Sequence, residues 1–140
     1  GGQELDLKFE NKRKKISQII DMQRKKTGKL FNFCFQSVAI VAKKNKRTNI
    51  FYGKLGEDIG LLFQLADDFL DVKGSKKLVG KPIKKDKKKG KSTLIHLLGY
   101  KNTINYADKL QKKILLKLKK HGKNANELKN TIKFILERSF

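Results

Sequence analysis

The stretch Phe63–Val72, FQLADDFLDV, places three aspartates in an otherwise apolar run, and this segment decides the fold. Successive side chains on an α-helix are separated by about 100°, so counting from Gln64 puts Asp67 at about 300° and Asp68 at about 40°. Asp71, at about 340°, falls between them. Apolar side chains occupy the remaining directions: Leu61, Leu62, Leu65, Ala66, Phe69, Leu70 and Val72. The pattern predicts a helix that is buried on most sides and carries one narrow anionic stripe.

The anionic stripe requires cations. Close carboxylates repel one another, and burial would protonate them unless positive charge is supplied. One source is the lysine-rich segment that follows, which would form a structural ion cluster. The other is a hard divalent metal, because Mg²⁺ is typically held by one or two carboxylates while water and substrate phosphates complete its octahedron. A third interpretation is a helix face that is acidic without any function, and the apolar flanks argue against it.

The rest of the chain predicts helices joined by polar breaks, with one proline and no sustained alternation of polar and apolar residues. The predicted loops are Lys43–Asn49 and Lys73–Lys91, and the second is long, mobile and rich in lysine. The predicted helices are a short amphipathic one at Ile16–Gln23, a buried one at Leu30–Ala42, a long one at Ile50–Val72, an amphipathic one at Asn102–His121 with Gly122 as its stop, and a last one from about Leu128 to Phe140. The fold class is therefore all-α.

These helices carry more apolar surface than they can cover. The helices at Leu30–Ala42 and Ile50–Val72 are apolar nearly all round, so each needs neighbours on every side. The few other helices predicted in the chain give little cover for both. The sequence therefore predicts a part of a larger bundle, or a chain that needs a partner.

Cysteine usage and hydropathy bear on location. The single cysteine, Cys34, excludes an internal disulfide and a multi-cysteine metal site, and its apolar neighbours predict a core position. This usage fits a reducing, cytoplasmic setting. No apolar run reaches the roughly 18 to 20 residues of a membrane span, and no secretory signal is visible.

The formal net charge of +22 raises the possibility of nucleic-acid binding, which needs basic residues to neutralise phosphates. Two observations argue against it. The excess is nearly all lysine, whereas base contacts and stacking favour arginine. The sequence also shows no helix-turn-helix, zinc-finger or aromatic RNA-binding signature. We expect a solvated lysine-rich surface and no nucleic-acid partner, and a small anionic ligand such as a phosphate stays open.

FQLADDFLDV resembles the second aspartate-rich motif, DDxxD preceded by Phe-Gln, of the trans-isoprenyl diphosphate synthases, the farnesyl and geranylgeranyl diphosphate synthase group. Other segments resemble the motifs of that family in the same order: GGQELDL at 1–7, KTGKL at 26–30, and GKPIKKDKKKGKST at 80–93. ILERSF at 135–140 resembles the family's basic C-terminus. The resemblance covers essentially the whole chain.

The resemblance implies an all-α isoprenoid synthase bundle that forms a homodimer. It also implies a prenyltransferase that condenses isopentenyl diphosphate with an allylic diphosphate and uses Mg²⁺ as its cofactor. The product would be a short-chain isoprenyl diphosphate such as farnesyl or geranylgeranyl diphosphate. Residue roles follow from the matching motifs, and the metal ligands would be Asp67, Asp68 and Asp71.

The same resemblance implies roles for residues outside the aspartate motif. Lys26, Lys81 and Lys91 would bind the allylic diphosphate and stabilise the charge that develops on it. Thr27 and Gln64 would direct oxygen dipoles at the allylic carbocation. The loop 73–91 would close over the substrate and exclude water. His96 and His121 match no role in the family.

The family has two aspartate-rich motifs on facing helices, and this chain holds only the second. We therefore expect residues 1–140 to be the C-terminal half of a polyprenyl synthase domain, inactive in isolation. Two other hypotheses stay open: a non-catalytic interaction subunit of a prenyl synthase, and a basic helical module that binds nucleic acid. Upstream sequence without aspartate-rich motifs favours the former. Salt-dependent DNA binding that survives Asp67→Ala and is lost when the loop lysines are neutralised favours the latter.

Overall fold

The chain is almost entirely helical where its structure is described. The structure is a computed structural model, and it describes residues 2–77 and 93–137. No strand occurs in these ranges, which confirms the predicted all-α fold, and none of their helices is long and apolar enough to cross a membrane. The elements in chain order are α1 (Gly2–Gln23), a π-helical turn (Arg24–Gly28), α2 (Lys29–Val41), α3 (Lys46–Lys77), α4 (Leu94–Leu98), α5 (Tyr100–Leu118), a 3₁₀ segment (Lys119–Ala125) and α6 (Asn126–Glu137).

The π turn joins α1 to α2 without a break in the helical backbone. Gln23 on one side and Lys29 on the other both keep right-handed helical φ and ψ angles. A π turn closes its hydrogen bonds one residue further along the chain than an α turn, and such turns are frequent at functional sites. Residues Lys26–Gly28, the KTG segment of the sequence, lie in this turn.

Helix α2 packs on α3 along a line of glycines, Gly53, Gly56 and Gly60, which we call the glycine seam. A Cβ atom on Gly56 would lie 2.5 Å from the carbonyl oxygen of Phe31, and one on Gly60 would lie 3.0 Å from the Phe31 ring. Glycines spaced three and four residues apart share one helix face. The backbones of the two helices therefore come into direct contact at Gly56, where no side chain fits.

Helix α3 forms the centre of the fold. Its side chains that face the other helices are fully buried: Leu55, Leu61, Leu62, Leu65, Ala66 and Phe69. Phe69 packs edge-on against Tyr100 of α5, with 5.5 Å between ring centroids. Leu94, Ile114 and Ile132 extend the same core into α4, α5 and α6. The predicted burial of the α3 helix is thus largely confirmed, although Phe63 is 40% exposed.

Short polar contacts define the ends of the later helices. The Thr93 hydroxyl caps α4 by accepting a hydrogen bond from the backbone N–H of His96. The Thr103 hydroxyl lies 2.7 Å from the carbonyl oxygen of Gly99, to which it donates, and Gly99 has a φ of 84° that favours glycine. Gly122 has a φ of 57° inside the 3₁₀ segment. The predicted helix end at His121 is three residues too late, because α5 ends at Leu118, and Gly122 marks a kink inside the segment that follows.

One face of α2 is exposed to solvent, contrary to the prediction of a buried helix. Leu30 and Phe33 are 63% and 69% exposed, and Ile40 is 56% exposed. Cys34 is exposed as well, so its predicted core position is wrong. The reason is that α3 covers only the face of α2 that lies on the glycine seam, and none of the other described helices covers the opposite face.

Several predicted boundaries were too narrow. The helix predicted at Ile16–Gln23 is the end of α1, and α4 was not predicted. Helix α3 begins at Lys46, where the Asn45 side chain accepts a hydrogen bond from the N–H of Thr48, and it extends to Lys77. The predicted loop Lys73–Lys91 therefore loses its first five residues to α3, and its residues 78–91 lie outside the described ranges. Hydrophobic periodicity marks only buried turns, so exposed lysine-rich turns escape it.

The glycine seam yields a stability prediction. Gly56→Ala is expected to destabilise the fold by about 1–3 kcal/mol, because the new methyl group meets the backbone of Phe31, which cannot rotate away. Gly74→Ala is the control on the same helix, since nothing lies within 4 Å of a Cβ there. Helix propensity predicts that this control stabilises by up to about 1 kcal/mol. The midpoints of urea unfolding, followed by circular dichroism, measure both effects. Equal midpoints for the two variants would contradict the close packing of α2 on α3 at Gly56.

Candidate functional site

The aspartates of the stripe lie on one side of α3 but differ in depth. Asp67 and Asp71 are exposed, whereas Asp68 is buried, with 9% of its surface accessible. Asp67 and Asp71 are one helical turn apart, so their carboxylates project from neighbouring positions. Gln64, one turn before Asp68, is half-buried. On this side of α3, Gln64 and Asp68 thus form a buried polar edge, and the exposed Asp67 and Asp71 form what we call the acidic edge.

A chain of hydrogen bonds links the π turn to this stripe. Thr27 Oγ1 donates to Gln64 Oε1 at 3.5 Å, and Gln64 Nε2 donates to Asp68 Oδ1 at 3.3 Å. Gln23 Nε2 donates to Asp68 Oδ2 at 3.5 Å. These distances exceed the usual range of about 2.7–3.2 Å, so each bond is weak. Together they bring side chains from the end of α1, from the π turn and from α3 to one place.

Gln23 leaves an acceptor unused beside the stripe. The residue is buried, and its Oε1 atom has no hydrogen-bond partner among the described residues. A buried polar atom without a partner costs about 1–3 kcal/mol. An acceptor of this kind near a carboxylate suits the water molecules that Mg²⁺ retains when proteins bind it.

The donor set fits a metal ion shared with a ligand. Within residues 2–77 and 93–137, no three His, Cys, Asp or Glu side chains come together closely enough to hold a metal alone. Mg²⁺ needs only one or two protein carboxylates when phosphate oxygens and water supply the rest. Asp67 and Asp71, exposed one turn apart, offer two such carboxylates. The residues thus fit Mg²⁺ in a complex with a phosphate-bearing ligand and do not form an all-protein cage.

The predicted lysines are described only in part. Lys26 lies in the π turn next to Thr27, and its side chain is outside the described part of the structure. Lys81 and Lys91 lie outside the described residues altogether. The structure therefore brings together Thr27, Gln64 and Asp68, places Asp67 and Asp71 beside them, and leaves the three lysine roles as predictions.

A second polar network, centred on Asp58 of α3, anchors the first residue of the π turn. Asp58 is buried, and Arg24 Nη2 lies 3.0 Å from its Oδ1 atom. From α5, Lys117 Nζ lies 3.2 Å and Lys113 Nζ 3.7 Å from Oδ2. Burial raises the pKa of the nearby Tyr106 hydroxyl above 10.0, Arg24 opposes this, and Asp58 adds to it. The buried carboxylate thus ties the π turn, α3 and α5 to one point.

Sequence reasoning did not assign a role to Gln23 or Asp58, although a local signal exists for each. Gln23 follows Ile16, Ile19 and Ile20 at helical spacing, so a buried position could be read from the pattern. Asp58 lies three and four residues before the buried Leu61 and Leu62 and therefore shares their face. Their partners could not be read, because Arg24 and Asp58, or Gln23 and Asp68, come together only through the packing of α1 and the π turn on α3.

Comparison with known proteins identifies the class. The model of the family described as polyprenyl synthetase matches residues 1–135. The chain belongs to this polyprenyl synthetase family, as the motifs predicted.

The relatives are longer than this chain. It is 35% identical to a short chain isoprenyl diphosphate synthase of Methanocaldococcus jannaschii, over 84% of this chain and 35% of that protein. It is 30% identical to a farnesyl diphosphate synthase of Micrococcus luteus and 33% identical to one of Escherichia coli, over 99% of this chain in each case and 47% and 48% of those proteins. The chain thus spans about half the length of these relatives, or less.

The Asp58 network yields a second stability prediction. Asp58→Asn is expected to destabilise the fold by roughly 2–3 kcal/mol, because Arg24 and Lys117 lose their buried carboxylate. The value lies below that of a fully buried pair, since both cationic side chains are 29% exposed. Asp108→Asn is the control, because it removes the same charge from an exposed pair with Lys112 and should cost at most about 0.5 kcal/mol. Similar losses in the two variants, measured by urea unfolding, would refute the anchoring role.

Proposed function

We propose that the full protein is a prenyltransferase that condenses isopentenyl diphosphate with an allylic diphosphate into a short-chain isoprenyl diphosphate. The observation that carries the proposal is the contact of Thr27 with Gln64, two predicted site residues 37 positions apart, and of Gln64 with Asp68. Membership of the polyprenyl synthetase family and the printed names of the relatives support it.

In this proposal the open acidic edge of α3 receives the allylic diphosphate. Asp67 and Asp71 would hold Mg²⁺, which supplies positive charge that stabilises the departing diphosphate. Asp68 would complete the acidic set while its contacts with Gln23 and Gln64 fix its orientation. Lys26, with Lys81 and Lys91, would add further positive charge to the same leaving group.

Thr27 and Gln64 would serve the carbocation that forms when the diphosphate leaves. Their oxygen atoms carry partial negative charge, and the hydrogen bond between them restricts the directions in which they point. The double bond of isopentenyl diphosphate then attacks the allylic cation, and loss of a proton restores a neutral chain. Water must be kept away during this interval, since it would convert the cation to an alcohol.

We further propose that residues 1–140 form the C-terminal half of a larger polyprenyl synthase domain. The exposed apolar face of α2, with Leu30 and Phe33, supports this, because such a face is normally covered by another helix. The other half would contribute the first aspartate-rich motif and the isopentenyl diphosphate site. The homodimer and the cytoplasmic location rest on the family resemblance and on cysteine usage, and they belong to the same proposal.

Removing an acidic-edge carboxylate tests the metal role. In the full-length protein, Asp67→Ala is expected to lower kcat for prenyl transfer by about 100- to 1000-fold, because charge on the leaving diphosphate is no longer neutralised. The Mg²⁺ concentration that gives half-maximal rate should rise with it. Asp108→Ala, which removes an exposed carboxylate from α5, is the control and should leave both quantities unchanged. A fall in kcat shared by the two variants would count against the assignment.

The proposed division of the domain predicts that residues 1–140 alone are inactive. With Mg²⁺ and both diphosphates present, no prenyl product is expected, because the second aspartate motif lacks the facing motif and the second substrate site. The assay is extraction of radiolabelled isopentenyl units into an apolar solvent. Product formation by the isolated chain, with helical content verified by circular dichroism, would disprove the prediction.

A further inference from the structure

Two lysine-rich segments far apart in the sequence lie toward the same end of α3. KKNKR, at 43–47, leads into the first turns of α3, and KKHGK, at 119–123, forms the 3₁₀ segment after α5. The Tyr52 hydroxyl lies 3.0 Å from Nε2 of His121, and the Lys120 ammonium lies 3.9 Å from the centre of the Phe51 ring. These contacts fix the 3₁₀ segment against the start of α3.

The charges gathered at this place have the same sign. We define the basic end as seven exposed side chains: Lys43, Lys44, Lys46, Arg47, Lys119, Lys120 and Lys123. No acidic residue occurs between 22 and 56 or between 109 and 126. Four acidic residues bound these segments: Glu57 accepts from Asn32, Asp108 pairs with Lys112, and Asp21 and Glu127 are exposed. Glu127 is the nearest of them in sequence to the basic end, so at most one acidic side chain adjoins these seven basic ones in the sequence and the surface is strongly positive.

This surface is too distant to serve the proposed diphosphate site. Phe51 and Asp67 lie on the same helix, and the sixteen-residue separation corresponds to about 24 Å along its axis. Screening at physiological ionic strength acts over about 8 Å, so exposed lysines at the basic end contribute little at the stripe. An anionic partner of this surface would therefore be a different one from the diphosphate.

Two exposed apolar side chains adjoin the basic end. Ile50 is 45% exposed and lies one helical turn after Lys46 and Arg47. Leu116 is 70% exposed and lies one helical turn before Lys119 and Lys120. Apolar side chains among lysines suit an anionic bilayer, where lysines reach the headgroups while apolar groups enter the acyl boundary. Nucleic acid offers phosphates but no comparable apolar layer, and its readout favours arginine, of which the basic end has one.

We propose that the basic end docks the protein on membrane surfaces that carry anionic lipid. The docking is peripheral and depends on both lysine charge and the exposed Leu116 and Ile50. Only the purpose of the docking rests on the proposed function. An isoprenyl diphosphate has an apolar chain that partitions into bilayers, so a docked enzyme would release its product at the membrane. The binding itself involves none of the residues assigned to catalysis.

Two charge-matched variants of the full-length protein test the proposal. The basic-end variant combines Lys43→Gln, Lys44→Gln, Lys46→Gln and Arg47→Gln. The control variant combines Arg13→Gln, Lys14→Gln, Lys101→Gln and Lys133→Gln, which are exposed side chains on α1, α5 and α6. Each removes three lysines and one arginine, so the net charge changes equally. The measurement is co-sedimentation, without substrate, with vesicles of phosphatidylcholine alone or mixed equally with phosphatidylglycerol.

The unaltered protein should bind the mixed vesicles, dissociate from them in high salt, and not bind vesicles of phosphatidylcholine alone. The basic-end variant should bind about 100-fold more weakly or worse, because each basic residue near an anionic bilayer contributes roughly fivefold. The control variant should stay within about threefold of the unaltered protein. No binding, or equal losses in both variants, overturns the proposal.

A further arm separates lipid from nucleic acid as the anionic partner. Leu116→Gln should weaken vesicle binding by about five- to tenfold, because an apolar contact with the acyl boundary is lost. If the protein binds duplex DNA tightly and Leu116→Gln leaves its vesicle affinity unchanged, the surface would be assigned to nucleic acid and the proposal would be overturned. Prenyl transfer is assayed separately, so an inactive protein that still binds vesicles would refute the proposed function and leave this inference standing.

Discussion

The contact between the backbones of α2 and α3 at Gly56 is the constraint on which the rest of the structure depends. A side chain at this position would collide with the Phe31 carbonyl oxygen, so the two helices can approach as they do only through the glycine seam. The approach brings Asn32 within 2.9 Å of Glu57, and it sets the π turn directly above α3. Thr27 in the π turn then contacts Gln64 in α3 directly. Both residues lie on helical elements and not on loops, so the polar site has a rigid support.

The Asp58 network complements the seam with a different kind of force. The seam is a short-range steric fit, whereas Asp58 attracts three cationic side chains from two other elements. A buried carboxylate of this kind adds little net stability, but loss of one partner leaves an uncompensated charge. The π turn is therefore held at Arg24 by an ion pair and, more weakly, at Thr27 by a long hydrogen bond. Two contacts with α3 restrict the position of the turn more than either contact would alone.

Much of the site could be predicted from sequence because its geometry is local. Gln64, Asp67, Asp68 and Asp71 lie within two turns, and helix periodicity alone puts them in one sector. The polyprenyl synthetase family followed from motifs in register. Exposure of Cys34 could not be predicted, because apolar neighbours in sequence do not say which helix face has a partner. The pairing of Gln23 with Asp68 and the meeting of Tyr52 with His121 depend on packing between distant segments, which periodicity does not encode.

The π turn at Arg24–Gly28 holds one more residue than an α turn between the same two helices would. Deleting one residue there would close the hydrogen bonds at the α spacing and leave α2 in nearly the same rotational phase, so Phe31 would keep its place on the glycine seam. A deletion in the α-helix on either side would instead rotate everything beyond it by about 100°. We therefore expect the loss of one residue to be tolerated by the packing of α2 on α3 inside the turn and not outside it.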